Sequence, residues 1–132
     1  MTQNQSSGGS CLCEGAVYRL NGTLRDVINC FCAQCRKTSG HHVAATAVLT
    51  NDLELFSQDT LKYYRSSGQA SRGFCSECGS SLLWQLDGAD TKRIMAGTLE
   101  SPTGLVTVQN CFLEEKSDYH TPPGVSNRAR VG

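Results

Sequence analysis

Seven of the eight cysteines in this 132-residue chain fall into three tight clusters, Cys11-x-Cys13, Cys30-x-Cys32-x-x-Cys35 and Cys75-x-x-Cys78, and Cys111 stands alone. Clustering of this kind limits the fold more than any other feature. A tetrahedral Zn²⁺ takes sulfurs at about 2.3 Å, aimed inward from tight backbone turns, and close cysteine pairs supply such turns. Gly79, just past the second pair, eases the chain reversal. Cys11, Cys13, Cys75 and Cys78 are therefore expected to form one closed, structural four-thiolate site that clamps distant parts of the chain together. The competing reading of Cys75-x-x-Cys78 is a redox pair. Such pairs open a helix in a βαβ setting, whereas "GFCSECGSSLLW" reads as strand, knuckle, strand.

Eight cysteines fit either disulfides in a secreted chain or metal in a cytosolic one. The opening "MTQNQSSGGS" is polar, with no basic start and no apolar stretch of signal length. No run approaches the roughly 18–20 apolar residues of a membrane span. A cytoplasmic protein with reduced, metal-binding cysteines is expected. Net charge is +0 and the pI is near 6.8, which leaves no electrostatic footprint for nucleic acid or an anionic membrane. The length suits one domain with its own core.

Residues 1–9 read as a flexible tail. Asn21-Gly22 predicts a type I′ hairpin joining Ala16–Leu20 to Thr23–Ile28. Strands are expected over Val43–Leu49, in "DLELF", "LKYYRSS", "SSLLWQL", "RIMAGTL" and "GLVTVQNCFLE", with a turn at Asp87-Gly88. One short helix, Ala33–Ser39, should stop at Gly40. Residues 116–132 are broken by Pro and Gly and read as a coil extension. The fold class is mainly β with little helix, in one domain over residues 10–115.

Cys30, Cys32 and Cys35 offer three thiolates from one loop. Three protein ligands with an open fourth place is the pattern of a catalytic zinc, and the place can take water, a substrate oxygen or a substrate thiolate. Three thiolates leave the ion with a net charge of about −1, which weakens it as a Lewis acid and favours a soft sulfur ligand. Two alternatives stand beside this: a closed site completed by Cys111 or His41, and a metal-free loop.

Four stretches, "GGSCLCEGAVYRL", "CFCAQCRKTSG", "YYRSSGQASRGFCSECGSSLLW" and "AGTLES", resemble the family of glutathione-dependent formaldehyde-activating enzymes, in that order and over about Gly8 to Leu113. The resemblance implies a β-tent fold of short, mostly antiparallel sheets held by zinc. It implies two zinc ions per chain, a structural one on Cys11, Cys13, Cys75 and Cys78 and a catalytic one on Cys30, Cys32 and Cys35. It implies a carbon–sulfur lyase whose partners are a small-molecule thiol and an aldehyde, with glutathione as co-substrate joining formaldehyde to give S-(hydroxymethyl)glutathione. The same fold also implies an alternative, a non-catalytic zinc-stapled binding module. The chain departs from the family pattern where Cys111-Phe112 and Tyr119-His120 stand in place of a histidine and a later tryptophan, and at Glu14 in place of a glycine. The first departure bears on substrate choice.

Other residues carry weaker expectations. Arg36 and Ser39 are candidate glutathione contacts, Arg36 through a bidentate grip on a carboxylate. The plainer readings are a surface charge beside Lys37 and a helix end. His41 or His42, but not both, could face the second metal, since neighbours on a strand point to opposite faces. His120 has no partner assignable from sequence. Tyr63, Tyr64, Arg65 and Arg72 read as core and rim packing in preference to a single-stranded nucleic-acid platform. Trp84 with Leu82, Leu83 and Leu86 reads as core.

Overall fold

The structure, a computed structural model, describes residues 6–128. Three strands, β1 (Ser6–Ser10), β2 (Val17–Asn21) and β5 (Leu53–Ser57), form a small sheet in the order β1-β2-β5. A larger sheet combines β3 (Val27–Cys30), β4 (Val43–Leu49), β6 (Leu61–Arg65), β7 (Ala70–Cys75), β8 (Ser81–Leu86), β9 (Thr91–Met95) and β10 (Thr107–Cys111). Its order is β10-β3-β4-β9-β8-β7-β6. Every pairing is antiparallel except that of β10 with β3, which is parallel. The helix α1 (Ala33–Ser39) links β3 to β4. The chain is thus mainly β, with short sheets and little helix, as expected.

The alternation in β2 shows how the sheets meet. Tyr18 and Leu20 point inward and are buried, while Arg19 and Asn21 face out. They join Val48, Leu82, Leu83, Ile94, Leu24 and Leu99 in the main core between the sheets, with Cys11 and Cys75 at its border. Each fully buried aliphatic side chain there contributes about 1.5–3 kcal/mol. The opposite face of the large sheet carries a second set, Val43, Ala45, Met95 and the half-buried Trp84, and this face positions the site.

The helix follows its sequence signals. Cys32 caps the N-terminus, its Sγ accepting from the Cys35 amide (3.3 Å), and Gly40 ends the helix at φ +84°, its amide bonding to the Arg36 carbonyl (2.8 Å).

Three expectations need correction. Residues 1–9 do not read as one tail: Ser6–Ser10 is strand β1, in register with Val17–Asn21 of β2, and residues 1–5 lie outside the described residues. The glycines there serve packing. A Cβ on Gly9 would sit 2.2 Å from the Tyr18 hydroxyl and 2.6 Å from the Thr98 carbonyl oxygen. Next, the Asn21-Gly22 turn forms no hairpin. Gly22 has φ +111°, but Asn21 is not left-handed, and β2 and β3 part into different sheets. Leu24 and Asp26, 2% and 3% exposed, anchor the crossing, and the Arg25 amide bonds to the Ala47 carbonyl (3.1 Å). Burying those two side chains overrides the local turn preference. Finally, Leu86 is exposed and Trp84 leaves the main core for the opposite face.

After β10, residues 116–128 run as coil along the body. The Ser126 amide bonds to the Thr107 carbonyl (2.7 Å), the Asn110 side-chain amide to the Pro123 carbonyl (3.2 Å), and the Arg128 guanidinium to the buried Asp26 carboxylate. The coil expected for 129–132 lies outside the described residues.

Candidate functional site

Cys11 and Cys13 lie in the turn that leaves β1, Cys75 ends β7, and Cys78 follows in the knuckle before β8. Their four sulfurs lie within 4.8 Å of one another. Cys11 and Cys13 sulfurs are 3.7 Å apart and those of Cys13 and Cys75 3.6 Å. Sulfurs on one tetrahedral Zn²⁺ stand about 3.8 Å apart, so the residues fit that ion. The surroundings favour the thiolate at Cys75 and Cys78, while the backbone at Gly15 lowers Cys13 but is outweighed by hydrogen bonding with its neighbouring thiols, Cys75 above all, and by burial, which push Cys13 up to about 12. The Ala16 amide donates to the Cys11 sulfur (3.3 Å) and the Cys78 amide to that of Cys75 (3.4 Å). Hydrogen bonding with Ser80, then with backbone amides, pulls the Cys78 thiol down to about 5, and Thr60 does the same in direction for Cys75.

Cys30 ends β3, Cys32 caps α1 and Cys35 lies in the helix's first turn, and their sulfurs also lie within 4.8 Å of one another. The hydrogen bond from Cys30 is the chief cause that draws the Cys35 thiol down to about 5. Burial opposes it, and the Arg72 guanidinium, whose Nη2 stands 3.7 Å from the sulfur, adds to it. The same bond with Cys35 pushes Cys30 up. Soft, convergent sulfurs beside a cation suit a borderline metal such as zinc. Cys111 is the register partner of Cys30 on the neighbouring strand, yet its sulfur does not join the group. Neither does His41, which converges with His42 and His120 elsewhere. Among the described residues the group therefore holds three ligands.

These three cysteines border a cavity of about 340 Å³ on the second face of the large sheet. Strand register explains its lining. Arg72 on β7 lies opposite Trp84 on β8, and Trp84 opposite Arg93 on β9, giving a lateral row of one aromatic between two cations. Arg93 sits 5.0 Å over the Trp84 ring. Met95, Ala45 and Ile28 continue the same face as an apolar floor. Arg72 Nη2 donates to Gln34 Oε1 (2.7 Å), whereas its buried Nε has no hydrogen-bond partner among the described residues. Arg25 also lines the cavity and donates to the Ala45 carbonyl (2.9 Å). A concavity of this size, apolar with a few cations in its lining, has the character of a small-molecule site.

Of the expected contacts, neither Arg36 nor Ser39 lines the cavity. Ser39 donates instead to the Cys35 carbonyl (2.7 Å) and accepts from the His41 amide (3.1 Å), which closes the helix end. Tyr63 and Tyr64 are exposed, and Arg65 pairs with Asp87 at the surface. Arg72, Trp84 and Arg93 are the residues that sequence reasoning missed. Their strand alternation was readable, but their meeting depends on register across three strands. All eight cysteines are free, and no described helix is long and apolar enough to cross a membrane.

Comparison with known proteins agrees with this picture. The sequence model described as "Glutathione-dependent formaldehyde-activating enzyme" matches residues 6–115. No curated protein matches the chain. Among solved structures, a structural-genomics crystal structure of a Rhodobacter sphaeroides protein is 23% identical, with a TM-score of 0.60 over 71% of this chain and 88% of that one. That likeness shows a shared fold.

Proposed function

The chain belongs to the glutathione-dependent formaldehyde-activating enzyme family, and from that premise we propose that it makes and breaks carbon–sulfur bonds between a small thiol and an aldehyde. Glutathione and formaldehyde are the proposed pair, with S-(hydroxymethyl)glutathione as the adduct. In this reading Cys11, Cys13, Cys75 and Cys78 hold a structural zinc, and Cys30, Cys32 and Cys35 a catalytic one. The catalytic ion, when bound, supplies thiol deprotonation at neutral pH and polarisation of a carbonyl oxygen.

The protein's own part is binding and orientation. Arg72 and Arg93 take the carboxylate-binding role that the sequence suggested for Arg36. Their place on either side of Trp84 in one lateral row of the cavity wall suits a doubly anionic thiol such as a short acidic peptide. Trp84, Met95, Ala45 and Ile28 keep water from the apolar floor. In the addition, the thiol loses its proton and its sulfur forms a bond to the carbonyl carbon. The π pair moves to oxygen, which takes up one proton, so the reaction balances without a redox partner. The cytoplasm, where thiols stay reduced, is the setting this chemistry requires.

The observation that carries the reading is the meeting of three sulfurs with a buried, incompletely paired guanidinium at one cavity. The test is direct. Zinc-replete protein is mixed with glutathione and formaldehyde, and adduct formation is followed against the spontaneous rate. Acceleration is expected, and Cys32→Ser should abolish it while the four-cysteine zinc is retained. No acceleration with glutathione, cysteine or other small thiols would overturn the reading and leave the zinc-stapled binding module.

A further inference from the structure

The chain has three histidines in all, and the fold brings them together. His41 and His42 follow the Gly40 cap of α1, and His120 comes from the coil beyond β10, outside the stretch that matches the family. One ring nitrogen from each lies within 4.8 Å of the other two. The rings are mutually packed: centroids of His41 and His120 are 4.4 Å apart, those of His41 and His42 4.5 Å. Phe31, 1% exposed, stacks on His42 at 4.7 Å and on His120 at 5.7 Å and fixes their planes from behind.

Two observations point to a ligand. First, His42 Nδ1 and His120 Nε2 are buried and have no hydrogen-bond partner among the described residues. Buried polar atoms left this way are uncommon, so a pair of them on rings of one cluster calls for an occupant. Second, His41 Nδ1 is engaged by the Tyr119 hydroxyl at 3.1 Å. With Nδ1–H donating to that oxygen, Nε2 keeps its lone pair. This is the arrangement by which an outer partner orients a metal-bound imidazole.

We propose that His41, His42 and His120 form a third metal site, distinct from both cysteine groups, for a divalent borderline cation such as Zn²⁺, Ni²⁺ or Co²⁺. Imidazole nitrogens suit these ions. Nitrogens on one tetrahedral ion at 2.0–2.1 Å stand about 3.3 Å apart, so modest ring rotation closes the group. Neutral imidazoles leave the full positive charge of the ion, the opposite of a three-thiolate centre, and water fills the remaining coordination. The ion cross-links the coil after β10 to the loop after α1. The cavity residues Cys111 and Phe112 lie nine and eight residues upstream of the anchored His120, so occupancy ties down the far end of the segment that follows that wall. The proposal stands apart from the reading of the cysteine sites.

The full chain, its cysteine sites filled with zinc, is incubated with Ni²⁺ and desalted, and metal per chain is counted by mass spectrometry. Wild type should retain one nickel equivalent. His120→Ala and His41→Ala should bind it at least 100-fold more weakly, and Tyr119→Phe roughly 10–100-fold more weakly. Nickel should also raise the thermal midpoint of the wild type alone and slow hydrogen exchange over residues 116–128. Cysteine reactivity must stay unchanged throughout, which shows that the thiolate sites are intact. Should His120→Ala unfold, His41→Ala, whose ring is exposed, gives the answer. Equal nickel retention by wild type and His41→Ala, or none by wild type, overturns the proposal.

Discussion

Arg72 is 7% exposed, yet its Nε meets no partner among the described residues while Nη2 holds Gln34 and reaches the Cys35 sulfur. The guanidinium lines the cavity, and each charge-assisted hydrogen bond it offers is worth about 1.5–3 kcal/mol. Arg72→Gln is therefore expected to raise KM for glutathione roughly 10–100-fold with a smaller effect on kcat. KM for an uncharged thiol should barely move, because no carboxylate is lost from its binding. Steady-state kinetics with the two thiols side by side checks this. The arginine was not readable as a site residue beforehand, and the cysteines were. Thiolate ligation is a matter of spacing within a few residues, visible in any one stretch. Arg72, Trp84 and Arg93 acquire their common role only through lateral register, which single stretches do not reveal. The histidines show the same divide: His41 and His42 stood near the cysteine loop in sequence, but the partner that gives them meaning, His120, lies 78 residues further on.

The terminal coil behaves as a structural element because an ion pair, together with the Ser126 and Asn110 hydrogen bonds, holds it. Asp26, 3% exposed, accepts from Arg128 Nε (2.7 Å) and Nη2 and from the Val106 amide (3.2 Å). Burial alone would raise its pKa; the hydrogen bonds from Arg128 and Val106 and the Arg128 charge hold it below the ordinary value. The folded carboxyl thus titrates below the unfolded one. Its contribution to stability is complete above about pH 4 and is lost as pH falls through the folded pKa. Arg128→Ala leaves a buried carboxylate unpaired and should cost about 3 kcal/mol at neutral pH. The gap to wild type should shrink as acid protonates Asp26, which urea melts across pH 3 to 7 measure. Elements with strong local signals were legible: α1 and β4 have the bounds read from sequence, since Gly40 stops the helix and Val43, Thr46 and Val48 favour extended backbone in the strand. The Asn21-Gly22 hairpin was misread because Leu24 and Asp26, just beyond it, are buried by partners far along the chain. Gly8-Gly9 was misread for a related reason. A glycine demanded by the nearby Tyr18 ring looks, in sequence, like a glycine of a loose tail.

Across the whole molecule the four-cysteine group joins the two sheets, with Cys11 and Cys13 from the end of β1 and Cys75 and Cys78 from the end of β7. Structural zinc sites contribute an apparent 10–16 kcal/mol, roughly, in small peptides, which rivals the about 5–15 kcal/mol total stability of a typical domain. Stripping the metal with a strong chelator should abolish the cooperative thermal transition, and Cys75→Ser should do the same. Cys30→Ser should keep one tightly held zinc and melt close to wild type. Calorimetry paired with metal counting separates the two groups. The sheet order carries one more consequence. All seven convergent cysteines have been translated by residue 78, but β8 and β9, which bridge β7 to β4, and β10, which walls the cavity beside β3, come afterwards. During synthesis, a ribosome-bound chain holds both sulfur groups while three of the seven strands of the sheet that carries the cavity are still missing, so a premature stop just past residue 78 is expected to leave the ligands of both cysteine groups with no cavity beside them.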